Sequence, residues 1–246
     1  MAHRGGALLT ANLGIENTLQ AFRNAADLGY TYLETDVHAT RDGHLVAFHD
    51  RDLGRVTGVP GRIADLTLEE VRAALVGGRE QVPTLDELLD ALPDARFNID
   101  LKAEHAVPLL VEAVTRHAAH HRVCVGSFSR KRLKRFRRLV PGAVTSASTP
   151  EAMALAVGVV LRRRDDVVFQ VPISRRVGPV TVPIVTPRTV AAAHKAGRKV
   201  HVWTIDDEDT MHRLIDWGVD GIVTDRPDLL KAVLHARGMW STRQGT

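Results

Sequence analysis

"FNIDLK", residues 97–102, reads as a strand with two unlike faces. At period two, Phe97, Ile99 and Leu101 fall on one side and Asn98, Asp100 and Lys102 on the other. The apolar side belongs against a hydrophobic layer. The polar side ends in a carboxylate and an ammonium. In a parallel α/β barrel the chemistry sits at the C-terminal ends of the strands, where such groups would project into the mouth.

The flanking sequence supplies the rest of such a barrel. Strand-like runs recur at 31–37, 45–49, 95–101, 122–128, 143–147, 166–172, 199–205 and 221–225. Helical periodicity fills 18–28, 68–76, 85–92, 106–120, 130–140, 150–163, 187–197, 207–217 and 227–237. Thr84, Thr149-Pro150 and Thr186-Pro187 mark helix starts, and Gly29, Gly197 and Gly218 mark helix ends. Strand–helix alternation implies a parallel sheet. With "MAHRG" counted as a short first strand there are eight principal strands, which suits a (β/α)8 TIM barrel. An open doubly wound sheet is the competing architecture, but no G-x-G-x-x-G turn follows an early strand. Residues 51–84 are too many for a plain loop and predict an insertion after the second strand, carrying its own helix. No linker divides the chain, so one domain is expected over 1–246.

Composition narrows the function classes. The 246 residues are 44% hydrophobic and 25% charged, which is ordinary for a globular protein. No apolar run is long enough to span a bilayer. "MAHRGG" does not read as a signal peptide, and a lone Cys124 allows no internal disulfide. A cytoplasmic location is the expectation. The net charge of +4 owes much to "RKRLKRFRR" at 130–138. Leu133, Phe136 and Leu139 recur within it at helical spacing, so it reads as the exposed face of a packed helix. The sharper reading is a weak contact with an anionic membrane surface. No aromatic stacking platform accompanies the charges, so nucleic acid is not expected as a partner. A homo-oligomer is compatible with the sequence.

"LETD" repeats the pattern of the opening strand. Glu34 and Asp36 share one strand face, about 7 Å apart. Pairing with lysines or arginines would explain two such carboxylates. A third, Asp100, also closes a strand, and three convergent carboxylates favour a hard divalent cation, Mg2+ or Ca2+. His3 and His49 lie at strand ends and should face the same mouth, where imidazoles can take and give a proton near neutral pH. The other histidines, His38, His105, His117, His120, His121 and His194, are expected on helices or loops without chemistry. Arg4 and Lys102 add fixed positive charge. A cation, two imidazoles, an arginine and a lysine suit a phosphoryl group.

At this point the chain resembles a known family. "AHRGG…ENT…LETDVHATRDGHLVAFHD", "PTLDELL", "FNIDLK", "VGSFS", "VWTID" and "GVDGIVTDRP" resemble the glycerophosphodiester phosphodiesterases, in the family's order. The resemblance implies a (β/α)8 barrel and metal-dependent hydrolysis of a glycerophosphodiester to glycerol 3-phosphate and an alcohol. It implies Glu34, Asp36 and Asp100 as metal ligands and His3 and His49 as the general acid/base pair. It implies Arg4 as a phosphate contact and Lys102 as the lysine beside the third ligand. Glu16 is implied near the metal and the first histidine, and Trp203 as an aromatic lining the pocket. Which histidine is base and which acid stays open, with His3 as base the working assignment. Asp100 stands where the family often has Glu, and Asp206 where a W-T-V-N motif would place Asn. Two alternatives remain: a lysophospholipase D acting through the same groups, and a catalytically silent barrel that binds anionic surfaces.

Overall fold

The protein is described by a computed structural model covering residues 1–160 and 166–240. Its strands are β1 (Ala2–His3), β2 (Tyr32–Ala39), β3 (Leu45–Ala47), β4 (Arg96–Leu101), β5 (Val123–Gly126), β6 (Val144–Ser146), β7 (Val167–Val171), β8 (Ser174–Val177), β9 (Val180–Pro183), β10 (Val200–Val202) and β11 (Gly221–Ile222). Its helices are α1 (Leu19–Asp27), α2 (Gly54–Thr57), α3 (Leu68–Ala73), α4 (Leu85–Ala91), α5 (Ala106–Arg116), α6 (Arg130–Leu139), α7 (Thr149–Ala156), α8 (Pro187–Lys195), α9 (Glu208–Asp216) and α10 (Pro227–Ala236).

Eight strands run parallel in the order β1-β2-β4-β5-β6-β7-β10-β11. A parallel bridge between Ala2 and Thr224 closes the ring, with His3 N donating to Thr224 O at 2.9 Å. This is the expected (β/α)8 barrel. The two faces of "FNIDLK" separate as their chemistry requires. Phe97, Ile99 and Leu101, each at most 1% exposed, join the core beneath the helices, and Phe97 packs edge-on against Phe22 of α1. Burying a side chain of this size contributes about 1.5–3 kcal/mol. Asn98, Asp100 and Lys102 take the inner side. There Gln170 Nε2 donates to Asn98 Oδ1 at 2.7 Å, so the middle of the barrel is polar and hydrogen-bonded.

Several elements differ from expectation. The 45–49 run forms β3, which pairs antiparallel with β2 outside the ring. The helix expected over 150–163 ends at Ala156, because Gly158 adopts φ 76° and its N–H closes on Leu155 O; residues 161–163 of that expectation lie outside the described residues. The helix expected over 106–120 stops at Arg116, ahead of Ala118 at φ 47°. The β8–β9 hairpin, with Gly178-Pro179 at its turn, was not anticipated. Residues 51–84 carry α2 and α3 and close over their own small core of Val46, Phe48, Leu53, Ile63 and Val71. Capping boxes at Thr67–Glu70 and Thr84–Glu87 start α3 and α4.

After β1 the chain turns sharply through left-handed backbone at Arg4 (φ 52°), Gly5 (φ 83°) and Gly6 (φ 86°). A Cβ on Gly6 would stand 2.4 Å from Pro227 Cγ. Gly6→Ala is therefore expected to destabilise the fold by about 1–3 kcal/mol, read as a lower urea midpoint. An unchanged midpoint would mean that the turn and α10 separate freely.

Candidate active site

The C-terminal ends of the strands enclose a cavity of about 710 Å³. His3, Arg4, Glu34, Asp36, His49, Asp100, Lys102 and Trp203 all line it. The parallel register sets Asp36 directly across from Asp100, and Glu34 across from Asn98. A second cavity, about 780 Å³, lies under the opposite end of the barrel beside Met1 and His201. Burial lowers the Met1 amine to about 5 and the His201 imidazole to about 4, so both are neutral there. The charged side chains that point to chemistry are at the other end.

Each histidine is held by a carboxylate. His3 Nδ1 lies 2.8 Å from Asp225 Oδ1, and its Nε2 lies 3.7 Å from Glu34 Oε2. His49 Nδ1 lies 2.7 Å from Asp50 Oδ1. An ionised carboxylate only accepts, so each fixes the N–H on Nδ1 and leaves Nε2 for the cavity. The carboxylates differ in their own surroundings. Asp50 is paired with Arg55, which bonds onward to Glu16 at 2.6 and 3.0 Å. Asp225 has no arginine or lysine partner among the described residues; its N–H donates to Asp206 Oδ1 at 2.7 Å. Burial lowers the His3 pKa, but the charge of Glu34 and the bond and charge of Asp225 outweigh it, and the net shift is upward.

The cavity floor concentrates opposite charges. Lys102 Nζ stands 2.8 Å from Asp36 Oδ1 and 2.7 Å from Asp100 Oδ2. Arg4 Nε lies 3.4 Å from Asp36, and Arg4 Nη1 donates to Glu16 Oε1 at 3.0 Å. Burial raises the Asp36 pKa, but Lys102 and Arg4 hold it below the usual range. Glu34 goes the other way: burial, then the charges of Asp36 and Asp100, push it up to about 8. Glu34 has no lysine or arginine side-chain partner among the described residues; the Arg4 N–H donates to its Oε2 at 3.2 Å. No three acidic, histidine or cysteine side chains among the described residues form a finished coordination shell, because the Lys102 ammonium bridges Asp36 and Asp100. In donor type and in charge the residues fit a hard divalent cation.

Trp203 lines the cavity and meets Phe128 edge to face, ring centres 5.9 Å apart. Glu16 pairs with Arg4, the residue after His3, and with Arg55. His38 is placed differently from expectation. It lies on β2, buried, with Nε2 3.1 Å from the His49 carbonyl, and burial lowers its pKa. That contact ties β2 to the segment after β3. Asp50, Arg55 and Asp225 were not picked out from the sequence, although "HD" and "TDRP" contain two of them. Adjacency to His49 and the strand-end position of Asp225 were the available signals.

Comparison with known proteins agrees with this architecture. The sequence profile described as "Glycerophosphoryl diester phosphodiesterase family" matches residues 3–229. A Mycobacterium tuberculosis protein named "Probable glycerophosphodiester phosphodiesterase 2" is 45% identical, the match covering 98% of this chain and 92% of the relative. A glycerophosphodiester phosphodiesterase of Caldanaerobacter subterraneus is 29% identical over 97% of this chain and 98% of its own. Among solved structures, an Oleispira antarctica phosphodiesterase in complex with the product sn-glycerol-3-phosphate superimposes with a TM-score of 0.75 at 22% identity, covering 95% of each chain. The strand-end carboxylates and histidines read from the sequence, the closed barrel that gathers them, and a family profile spanning nearly the whole chain agree: this chain belongs to the glycerophosphoryl diester phosphodiesterase family and is a phosphoric diester hydrolase.

Proposed function

We propose that this cavity cleaves glycerophosphodiesters to sn-glycerol 3-phosphate and an alcohol, using His3 and His49 for proton transfer and a divalent cation at Glu34, Asp36 and Asp100. The observation that carries this reading is the pair of imidazoles. Each is fixed at Nδ1 by a carboxylate, and both line one cavity with three acidic groups and a lysine on its floor.

Lys102 and Arg4 attract the diester's phosphoryl oxygens and hold the phosphorus between the two histidines. Asp225 lacks a compensating cation, whereas Asp50 is neutralised by Arg55. The charge of Asp225 therefore acts on His3 without a compensating guanidinium, and Glu34 adds to it, which favours the protonated imidazole there. This reverses the working assignment made from the sequence: His3 gives a proton to the leaving alcohol, and His49 takes one from the water that attacks phosphorus. A bound Mg2+ or Ca2+ would supply Lewis-acid stabilisation of the charge that builds on the phosphoryl oxygens.

The test is direct. Protein supplied with Mg2+ or Ca2+ and glycerophosphocholine is expected to release equal amounts of sn-glycerol 3-phosphate and choline, and thorough EDTA treatment to remove the activity reversibly. No glycerol 3-phosphate with either ion would overturn the diesterase reading. Undiminished turnover after EDTA would overturn the cation. Lysophosphatidylcholine in the same assay separates the lysophospholipase D alternative, which predicts that it is the faster substrate.

A further inference from the structure

The outer wall of the cavity carries charges that the reaction itself does not use. Every carboxylate lining the cavity is one of the floor residues, Glu34, Asp36 and Asp100. Other acidic groups at this end are held by the chain: Glu104 by Arg135, Asp50 and Glu16 by Arg55, and Asp225 by His3. Apart from the two histidines, Arg4 and the floor residues, the ionisable groups that line the cavity are two arginines. They come from the β8–β9 hairpin, which follows the end of β7 and places Arg175 and Arg176 on the cavity's edge. Both are exposed. Arg176 Nε donates to Gly178 O at 3.3 Å, within the hairpin turn. The Arg175 side chain has no hydrogen-bond or ion-pair partner among the described residues.

We take the diester to bind with its phosphorus between His3 and His49 and its glycerol half on the charged floor, so that its alcohol half faces outward. It would then pass the hairpin. A cationic alcohol such as choline would meet the arginines of this edge, with no carboxylate beside them. An aromatic face could compensate through a cation–π contact. Of the two rings that line the cavity, Phe128 is the exposed one and already has Lys102 Nζ 5.9 Å from its centre, and Trp203 is packed edge to face against it. A second cation on the Phe128 ring would be repelled by the first.

We propose that Arg175 and Arg176 form a subsite for an anionic group on the alcohol half, so that the preferred substrates are glycerophosphodiesters whose leaving alcohol carries a further phosphate. This rests on the diesterase reading above and specifies its substrate class. A phosphate accepts paired N–H bonds from a guanidinium, and the rest of the wall offers it no repelling carboxylate.

A charge-graded series of soluble diesters tests it: glycerophosphocholine, glycerophosphoglycerol, and glycerophosphoglycerol bearing a terminal phosphate. With the cation-supplied enzyme at fixed ionic strength, kcat/KM is expected to rise along the series. The phosphorylated diester should exceed the choline diester by about 10- to 100-fold, the range of a hydrogen bond to a charged group. The double variant Arg175→Gln/Arg176→Gln is expected to flatten the series while keeping glycerophosphocholine turnover within about twofold, since a neutral amide adds no contact to choline. Arg175→Lys, which keeps the charge and loses the fork, should retain part of the preference. A flat series in the wild type, or a preference that survives the double variant, overturns the subsite. So does a flat series combined with arginine-dependent co-sedimentation with phosphatidylglycerol vesicles, which would assign the hairpin to a lipid surface. Failure to cleave all three diesters overturns the diesterase reading, and this proposal with it; a flat but active series overturns this proposal alone.

Discussion

Replacing His49 by alanine is expected to lower kcat/KM for glycerophosphocholine about 10²- to 10⁴-fold, the usual contribution of a positioned general acid or base. The fold should survive the change. The His49 side chain is 34% exposed, so its removal opens no sealed core cavity, and the thermal midpoint should stay close to that of the wild type. The loss should fall mainly on kcat. Lys102 and Arg4 remain to attract the phosphoryl oxygens, so ground-state binding is retained. Asp50→Asn supplies the graded control. It keeps a polar side chain beside Nδ1 but removes the charge that fixes the N–H there, and its rate should fall between wild type and His49→Ala. Near-normal turnover by His49→Ala, measured as release of glycerol 3-phosphate, would remove His49 from the proton path.

The barrel was legible because its signal is local. The alternation in "FNIDLK" and "LETD" fixes which side chains meet the helices and which enter the barrel, and a one-residue slip would turn Asn98 and Asp100 toward the helices. The β8–β9 hairpin escaped because "SRRVGPVTVP" lies between a strand and a helix that already satisfied the barrel pattern. The helix ends at Arg116 and Ala156 were overrun because left-handed closure there is a backbone property and the apolar periodicity continues past it. The candidate site was only half legible. Residues on one strand announce their common face. The contact between His3 and Asp225 joins positions 222 residues apart, and no pattern in the sequence specifies it. Asp206 is the clearest instance. Read in the motif it is an unexplained change from Asn. In the fold its Oδ1 accepts from Thr224 Oγ1 at 3.0 Å and from the Asp225 N–H at 2.7 Å, which holds the segment that orients His3. An asparagine could accept the same two bonds through its own Oδ1, so both residue types satisfy the position.

That contact carries the second large effect. Asp225→Asn is expected to lower turnover by about 10²-fold or more at neutral pH, and to do so through His3. The amide has no charge to hold the imidazolium. It also has a donor end, which can turn toward Nδ1 and place the ring's single proton on Nε2. The pH dependence gives the mechanism away. His3 has a raised pKa in the folded protein, so its protonated form contributes stability that is fully present below the unfolded value near 6.5 and is lost as pH rises through the folded value. Removing Asp225 takes away two of the influences that raise it, while burial still lowers it. The His3 ring resonance in the cation-free protein should therefore titrate at lower pH in the variant. Wild type should be the more stable of the two on the acid side of neutrality, with the difference closing as pH rises past the wild-type His3 pKa. If His3 is the proton donor, the alkaline limb of kcat/KM should move in the same direction, to lower pH. A variant with lost activity but an unmoved His3 titration would place Asp225 in the architecture of the loop alone. A moved titration with an unmoved alkaline limb would instead return the donor role to His49.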